Sequence, residues 1–356
     1  MKKKILLLPL IILIGSVSSA VQCQTSGAAP PGDVLHPGHL GRTTGDLERI
    51  IHFYHDLLGL GLRGKRDEPR PFWTSPGLIA FAASPKNAEF RAVIMPIPGT
   101  AAPGADTEMA IEAIEFRNID RHQYVFNIQD VGASHLVLAV RDLDKVMGRL
   151  TADGVPVITS GGKPLELQFG TTARGRAIIV RDPDGYPVEL EESVSPDQNT
   201  GPTDNNILGA SVCITVQDLN ATLRLYKGLI GLPQNKAANM RFKKDAALNK
   251  LWNTPGAEYR AGGFMVPGSP VMLRFYQYRN IRQRTIKPKL QDIDVAHFLF
   301  MVKDMNVIMP RIRAAGLKLL AKSGKPEFIA PKVRALFVTD PNHFFIEFMQ
   351  RMPETK

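Results

Sequence analysis

The chain has 356 residues, 44% of them hydrophobic and 22% charged, which is material for about two domains with sizeable cores. Its formal charge is +10, but the basic residues are dispersed except in RNIRQRTIKPK at 279–289. That run reads as a solvated loop or an anion-attracting patch, and with no nucleic-acid-binding module beside it nucleic acid is not an expected partner. Two cysteines, Cys23 and Cys213, exclude a disulfide framework.

At the N-terminus Lys2, Lys3 and Lys4 precede the apolar run ILLLPLIILIG, and Ser18-Ser19-Ala20 supplies small residues. This predicts a signal peptide over 1–20 and a secreted or periplasmic protein with no transmembrane span after cleavage. Lipid anchoring through Cys23 is the lesser alternative, because Gln22 fills a position that normally holds a small residue. Residues 21–37, rich in Ala, Gly and Pro, read as a loose arm.

From residue 38 the chain alternates strands with capped helices. Gly38-His39-Leu40 opens a first strand, Asp46 caps the helix DLERIIHFYHDLLGL, and AIEAIEFRN reads as the last strand of a unit spanning 38–132. Strand parity there sets Glu115 with Ala113 and Arg117, opposite Ile114 and Phe116. A second unit, 133–192, begins SHLVLAV, where Leu136, Leu138 and Val140 share one face and His135 takes the other. Asp142 caps a helix carrying Leu143, Val146, Met147 and Leu150, and the turn Asp182-Pro183-Asp184-Gly185 leads into YPVELEE, with Glu189 and Glu191 opposite Val188 and Leu190.

The polar stretch 193–206 reads as an interdomain linker. Beyond it lie a third unit, 207–293, with Asp218 as its cap, a fourth, 294–350, with Asp304, and a tail, 351–356. The second and fourth units share SGGKP against SGKP and RAIIVRDPDGYPVELEE against RALFVTDPNHFFIEFMQ. The first and third share HFYHDLLGLGL against RLYKGLIGLPQ and EFRNIDR against QYRNIRQ. Four β-α-β-β-β modules are present, paired as a larger duplication.

Modules of this order, with D-L caps, Y-x-x-L-x-G-L helix ends and D-P-D-G final strands, resemble the vicinal oxygen chelate superfamily, which includes glyoxalase I, extradiol dioxygenases, and fosfomycin- and bleomycin-resistance proteins. The resemblance covers roughly 38–350. It implies an α+β fold: two tandem domains, 38–192 and 207–350, each a curved, cavity-bearing mixed sheet built from two modules. Pairing of adjacent modules is expected because the linker separates equal halves; pairing of the first with the fourth and the second with the third is the alternative.

His39 and His135 each stand seven residues before a capping aspartate, and Glu115 is taken as the counterpart of Glu189. In glyoxalase I-like proteins the matching four positions bind a divalent metal. His39, Glu115, His135 and Glu189 are therefore the expected ligands of Fe, Mn, Ni, Co or Zn, a donor set that suits such ions. In the second half Ser211 replaces histidine and Gln277 replaces Glu115, which leaves His297 and Glu347 as a vestigial second site. Buried Cys213 is expected to be a filler rather than a nucleophile.

The expected function is a metal-dependent lyase or isomerase acting on a small oxygen-chelating substrate, with Glu115 or Glu189 shuttling a proton. The alternatives are an extradiol-type Fe(II) dioxygenase and a non-catalytic secreted binder of small molecules. The dioxygenase would need an acid–base residue, and none is assignable among His52, His55, His122 and Tyr124. Trp73, Phe169 and Tyr186 could line a binder's cavity, although packing is the default reading of each.

Overall fold

The computed structural model describes residues 33–353 except 106, 170–172, 194–204 and 232–238. The segment expected to be a signal peptide, Cys23, residues 21–32 of the expected arm, residues 194–204 of the expected linker and residues 354–356 lie outside the described residues. Among the described residues no helix is long and apolar enough to cross a membrane.

Each module opens with a strand and a capped helix as expected. Among the described residues, however, the strand count departs from four in two of them, with three in the first and five in the fourth. The first holds β1 (Val34–Thr44), α1 (Leu47–Ile51) continuing into a π-helical turn at His52–Leu57, α2 (Pro76–Phe81), β2 (Glu89–Pro96) and β3 (Ala110–Arg117). The second holds β4 (Ser134–Val140), α3 (Leu143–Ala152), β5 (Leu165–Phe169), β6 (Ala173–Arg181) and β7 (Pro187–Ser193). In the third are β8 (Ile207–Thr215), α4 (Leu219–Ile230), β9 (Asn239–Lys244), α5 (Ala246–Leu251), β10 (Glu258–Met265) and β11 (Met272–Arg279). The fourth comprises β12 (Ala296–Val302), α6 (Met305–Ala314), β13 (Lys318–Leu319), β14 (Glu327–Ala330), β15 (Val333–Thr339) and β16 (Phe345–Arg351). β1 starts inside the segment expected to be an arm. Asp46, Asp142, Asp218 and Asp304 all cap their helices through side-chain oxygens that accept first-turn amides.

The modules do not pair with their sequence neighbours. One curled sheet runs β13-β15-β16-β12-β1-β3-β2, with β14 on β15, and joins the fourth module to the first. The other runs β5-β6-β7-β4-β8-β11-β10-β9 and joins the second to the third. The expectation of adjacent pairing is thus corrected to the swapped arrangement. The 193–206 stretch connects β7 to β8 within one sheet, with only β4 between them.

The crossings between sheets fall elsewhere, at 118–133 and 280–295, and they run side by side. Gln123 bridges to Ile293 and Val131 to Thr285, and Arg284 donates through Nε to Asp130 at 2.9 Å. The basic run 279–289 is therefore part of a paired crossover, with Asp130 neutralising Arg284.

Both sheets contribute their helix-packed faces to one continuous apolar core, in which Leu40, Leu136, Val212 and Phe298 are all buried. A fully buried cation at its edge helps tie the sheets together. Arg42 of β1 is fully buried; its Nη2 donates to Asp182 at 2.9 Å and to Asp294 at 3.0 Å, and its guanidinium lies 3.6 Å from the centre of the Tyr186 ring. Asp182 also accepts from Tyr54 at 3.0 Å and from three amides of its own turn. Tyr186, read as a candidate cavity residue, is thus committed to this cluster. Arg42→Ala would leave two buried carboxylates without their cation. A loss of about 3–5 kcal/mol in unfolding free energy by denaturant titration is expected; a change of well under about 1 kcal/mol would show that Arg42 does not couple the sheets.

Candidate metal centre

In the first sheet the strand pairing converges four ligand-type side chains on one point. β1 and β12 run antiparallel with Gly41 opposite His297, while β3 lies parallel on the far side of β1 with Glu112 opposite Gly41. β16, parallel to β12, brings in Glu347. His39 Nε2 stands 3.0 Å from Glu112 Oε2, 3.1 Å from Glu347 Oε2 and 3.2 Å from His297 Nε2. His297 Nε2 is 3.3 Å from the same Glu347 oxygen. One ligand atom from each residue lies within 4.8 Å of all the others.

Gly41 makes this approach possible. A Cβ there would stand 1.8 Å from the His297 ring, so the imidazole can cross β1 only where the strand has no side chain.

The electrostatics are those of a site built for a cation. Burial pushes the Glu347 carboxyl up, but hydrogen bonds from His297 and His39 outweigh it and hold the group down at about 2. Burial opposes protonation of His39, and Glu112 followed by Glu347 overcome it and raise that imidazole above its usual range. Two imidazoles meeting Nε2 to Nε2 can share only one N–H between them. Once His39 gives up its proton, two imidazoles and two carboxylates facing one centre fit a borderline divalent ion. An open cavity of about 170 Å³ adjoins the cluster, with Trp73, Phe81, Phe90, Phe116 and Phe337 in its walls.

Residues 36–190 match the family model described as Glyoxalase/Bleomycin resistance protein/Dioxygenase superfamily. Over 198 residues the chain is 24% identical to a lactoylglutathione lyase of Arabidopsis thaliana, a match covering 54% of each protein, so the chain spans about half the length of that curated relative. Glyoxalase I from Zea mays superposes with a TM-score of 0.53 at 15% identity, over 89% of this chain and 92% of the other. A Bacillus subtilis protein designated a dioxygenase gives 0.54 at 14%, over 90% and 87%. The match to this superfamily is carried by residues 36–190, a little under half of the chain. The two solved structures, at such identities, establish the shared fold alone.

Against the superfamily pattern, the structure separates the expected quartet. His39 is in the cluster, but His135 and Glu189 lie in the other sheet, and His297 and Glu347, expected to be vestigial, supply half of the centre. Glu115 faces the helix side, where it accepts from the Leu47 amide at 3.0 Å and from Arg91 at 2.7 Å. The parity assigned to β3 was inverted: Ile111 and Ala113 pack into the core, and Glu112, Ile114 and Phe116 line the cavity.

The signal for Glu112 lies in a fourfold recurrence. Glu115, Glu192, Gln277 and Gln350 each accept from the first amide of their module's helix, at Leu47, Leu143, Leu219 and Met305. Glu115 therefore corresponds to Glu192, not to Glu189. Three residues earlier in each strand stand Glu112, Glu189, Arg274 and Glu347.

The second sheet thus pairs His135 and Glu189 with Ser211 and Arg274. A guanidinium replaces a carboxylate ligand, 3.9 Å from Glu191 and buried. His135 Nε2 lies 3.3 Å from Glu189 Oε2, and the same oxygen accepts from Trp252 Nε1 at 3.1 Å. Burial opposes protonation of His135, but Cys213 and Glu189 outweigh it and raise the imidazole to about 10. The concave face is filled by Trp252, Tyr259, Tyr276 and Tyr278, with Cys213 buried among them.

The remaining singled-out residues have other roles. His52 bridges Asp56 and Asp153 at 3.0 Å each, His55 contacts the Leu60 carbonyl at 2.7 Å, and His122 lies 3.6 Å from Asp292. Tyr124 packs near Phe126, and the Phe169 side chain is outside the described residues. One centre per chain is expected by elemental mass spectrometry. A His297→Ala, Glu347→Ala variant should lose the metal and a His135→Ala, Glu189→Ala variant should keep it; the opposite pattern would return the centre to the quartet expected from sequence.

Proposed function

We propose that the protein is a divalent-metal-dependent lyase or isomerase that rearranges a small substrate through two adjacent oxygen atoms. The observation that carries this reading is the buried pairing of two imidazoles with two carboxylates at the edge of a largely apolar cavity. His39, His297, Glu347 and Glu112 would hold the ion, which when bound would polarise the two oxygens and make a C–H on one of the two carbons that carry them more acidic.

The chain's own residues then divide the work. Glu347 is 3% exposed and lies between two imidazoles, so it stays in place and keeps both rings oriented. Glu112 is 23% exposed at its side chain and among the described residues is ion-paired only with His39. Its Oε2 is the atom able to swing toward the substrate, take a proton from carbon and return it one atom away. The aromatic walls exclude water during that transfer.

The dioxygenase reading has less support, since among the described residues the cavity lining contains no tyrosine and no histidine beyond the two ligands. The secreted or periplasmic location belongs to the same proposal and rests on the lysine, apolar and small-residue pattern of 1–20.

The exported protein tests these points together. Its N-terminus should begin after Ala20, and it should turn over one of a panel of α-oxoaldehydes and α-hydroxycarbonyls without consuming oxygen. Glu112→Gln should retain the ion and lose roughly 10²-fold or more in turnover. Oxygen uptake matched to product would move the protein to the dioxygenases, and ligand retention without turnover would make it a binder.

A further inference from the structure

The walls of the cavity constrain what the centre acts on. Among the described residues the lining beyond the four ligands is apolar apart from Thr43 and Ser84, with no lysine, arginine, asparagine or glutamine. Phe81 and Phe337 stack with centroids 4.7 Å apart on one side, and Trp73 packs on Phe90 at 4.3 Å on another. Two arginines of the adjoining strands are engaged elsewhere. Arg91 holds Glu115 on the helix side of β3, and Arg117 pairs with Glu89.

Charge and size then point the same way. The carboxylates of Glu112 and Glu347 balance a divalent ion, and neutral imidazoles add nothing, so the loaded centre carries no net charge. A carboxylate or phosphate on the substrate would bring an uncompensated negative charge against apolar walls that offer no cation. The volume of 170 Å³ is close to that of an apolar cavity, about 150 Å³, able to hold a benzene ring.

Resting on the metal-dependent reading above, we propose that the substrate is an uncharged molecule of about one ring in size. It presents two adjacent oxygens to the centre and an apolar, preferably aromatic, body to Trp73, Phe116 and Phe337. Glutathione adducts and other anionic conjugates are selected against by the same walls. Ile114, two residues from Glu112 on the same face of β3, is the wall position where an added cation would reverse the preference.

Calorimetry on the full mature chain tests this at neutral pH. Zn(II) is titrated first, and the loaded protein is then offered 1,2-dihydroxybenzene, 3,4-dihydroxybenzoate and S-methylglutathione. The neutral probe should bind at least about tenfold more tightly than either anion. Ile114→Lys should bring the benzoate level with or ahead of the neutral probe, and Ile114→Met should keep the wild-type order. Equal or tighter binding of the anions to the loaded wild type would overturn the substrate class while the metal centre stands. Failure to take up Zn(II) would overturn the metal-dependent reading and this inference with it.

Discussion

The pairing of β1 with β12, two strands that start more than 250 residues apart, is the constraint on which the site depends. It closes the first sheet, lays the His297 ring across Gly41, and sets His39 and His297 Nε2 to Nε2. Contacts this distant in sequence carry a large loop-closure cost, which the buried faces of β1 and β12 and the continuous core offset. The paired crossovers and Arg42 then hold the two sheets in one relation.

The two concave faces have taken different courses from one plan. In the first, a row of Glu112, His39, His297 and Glu347 surrounds a point beside open space. In the second, the equivalent row is Arg274, Ser211, His135 and Glu189, and aromatic side chains fill the space. Arg274 sets a fixed positive charge at the position where the first sheet has the carboxylate of Glu112. A buried guanidinium within reach of Glu191 repels a divalent cation, and Trp252 satisfies the carboxylate left over. The pair His135–Glu189 thus contributes to the interior of a packed sheet.

The modular plan was legible in the sequence because its signals are local. Asp46, Asp142, Asp218 and Asp304 announce helix starts, and the alternation in HLVLAV and YPVELEE announces half-buried strands. His39, His297 and Glu347 were all singled out on the same grounds. What failed was long-range: no local feature states which module lies beside which, and the 193–206 stretch looks like a domain linker although it connects strands of one sheet. Glu112 was lost to a two-fold parity slip, because Ile114 and Phe116 look like core residues and in fact line a cavity. Apolar side chains around a substrate site carry no mark that separates them from those around a core.

The most direct measurement is an anomalous-difference map from crystals of the metal-loaded protein, collected at the absorption edge of the bound ion. The account predicts one peak per chain, within bonding distance of His39, Glu112, His297 and Glu347, and none beside His135 and Glu189. A peak between His135 and Glu189, or one joining His39 to His135, would contradict it.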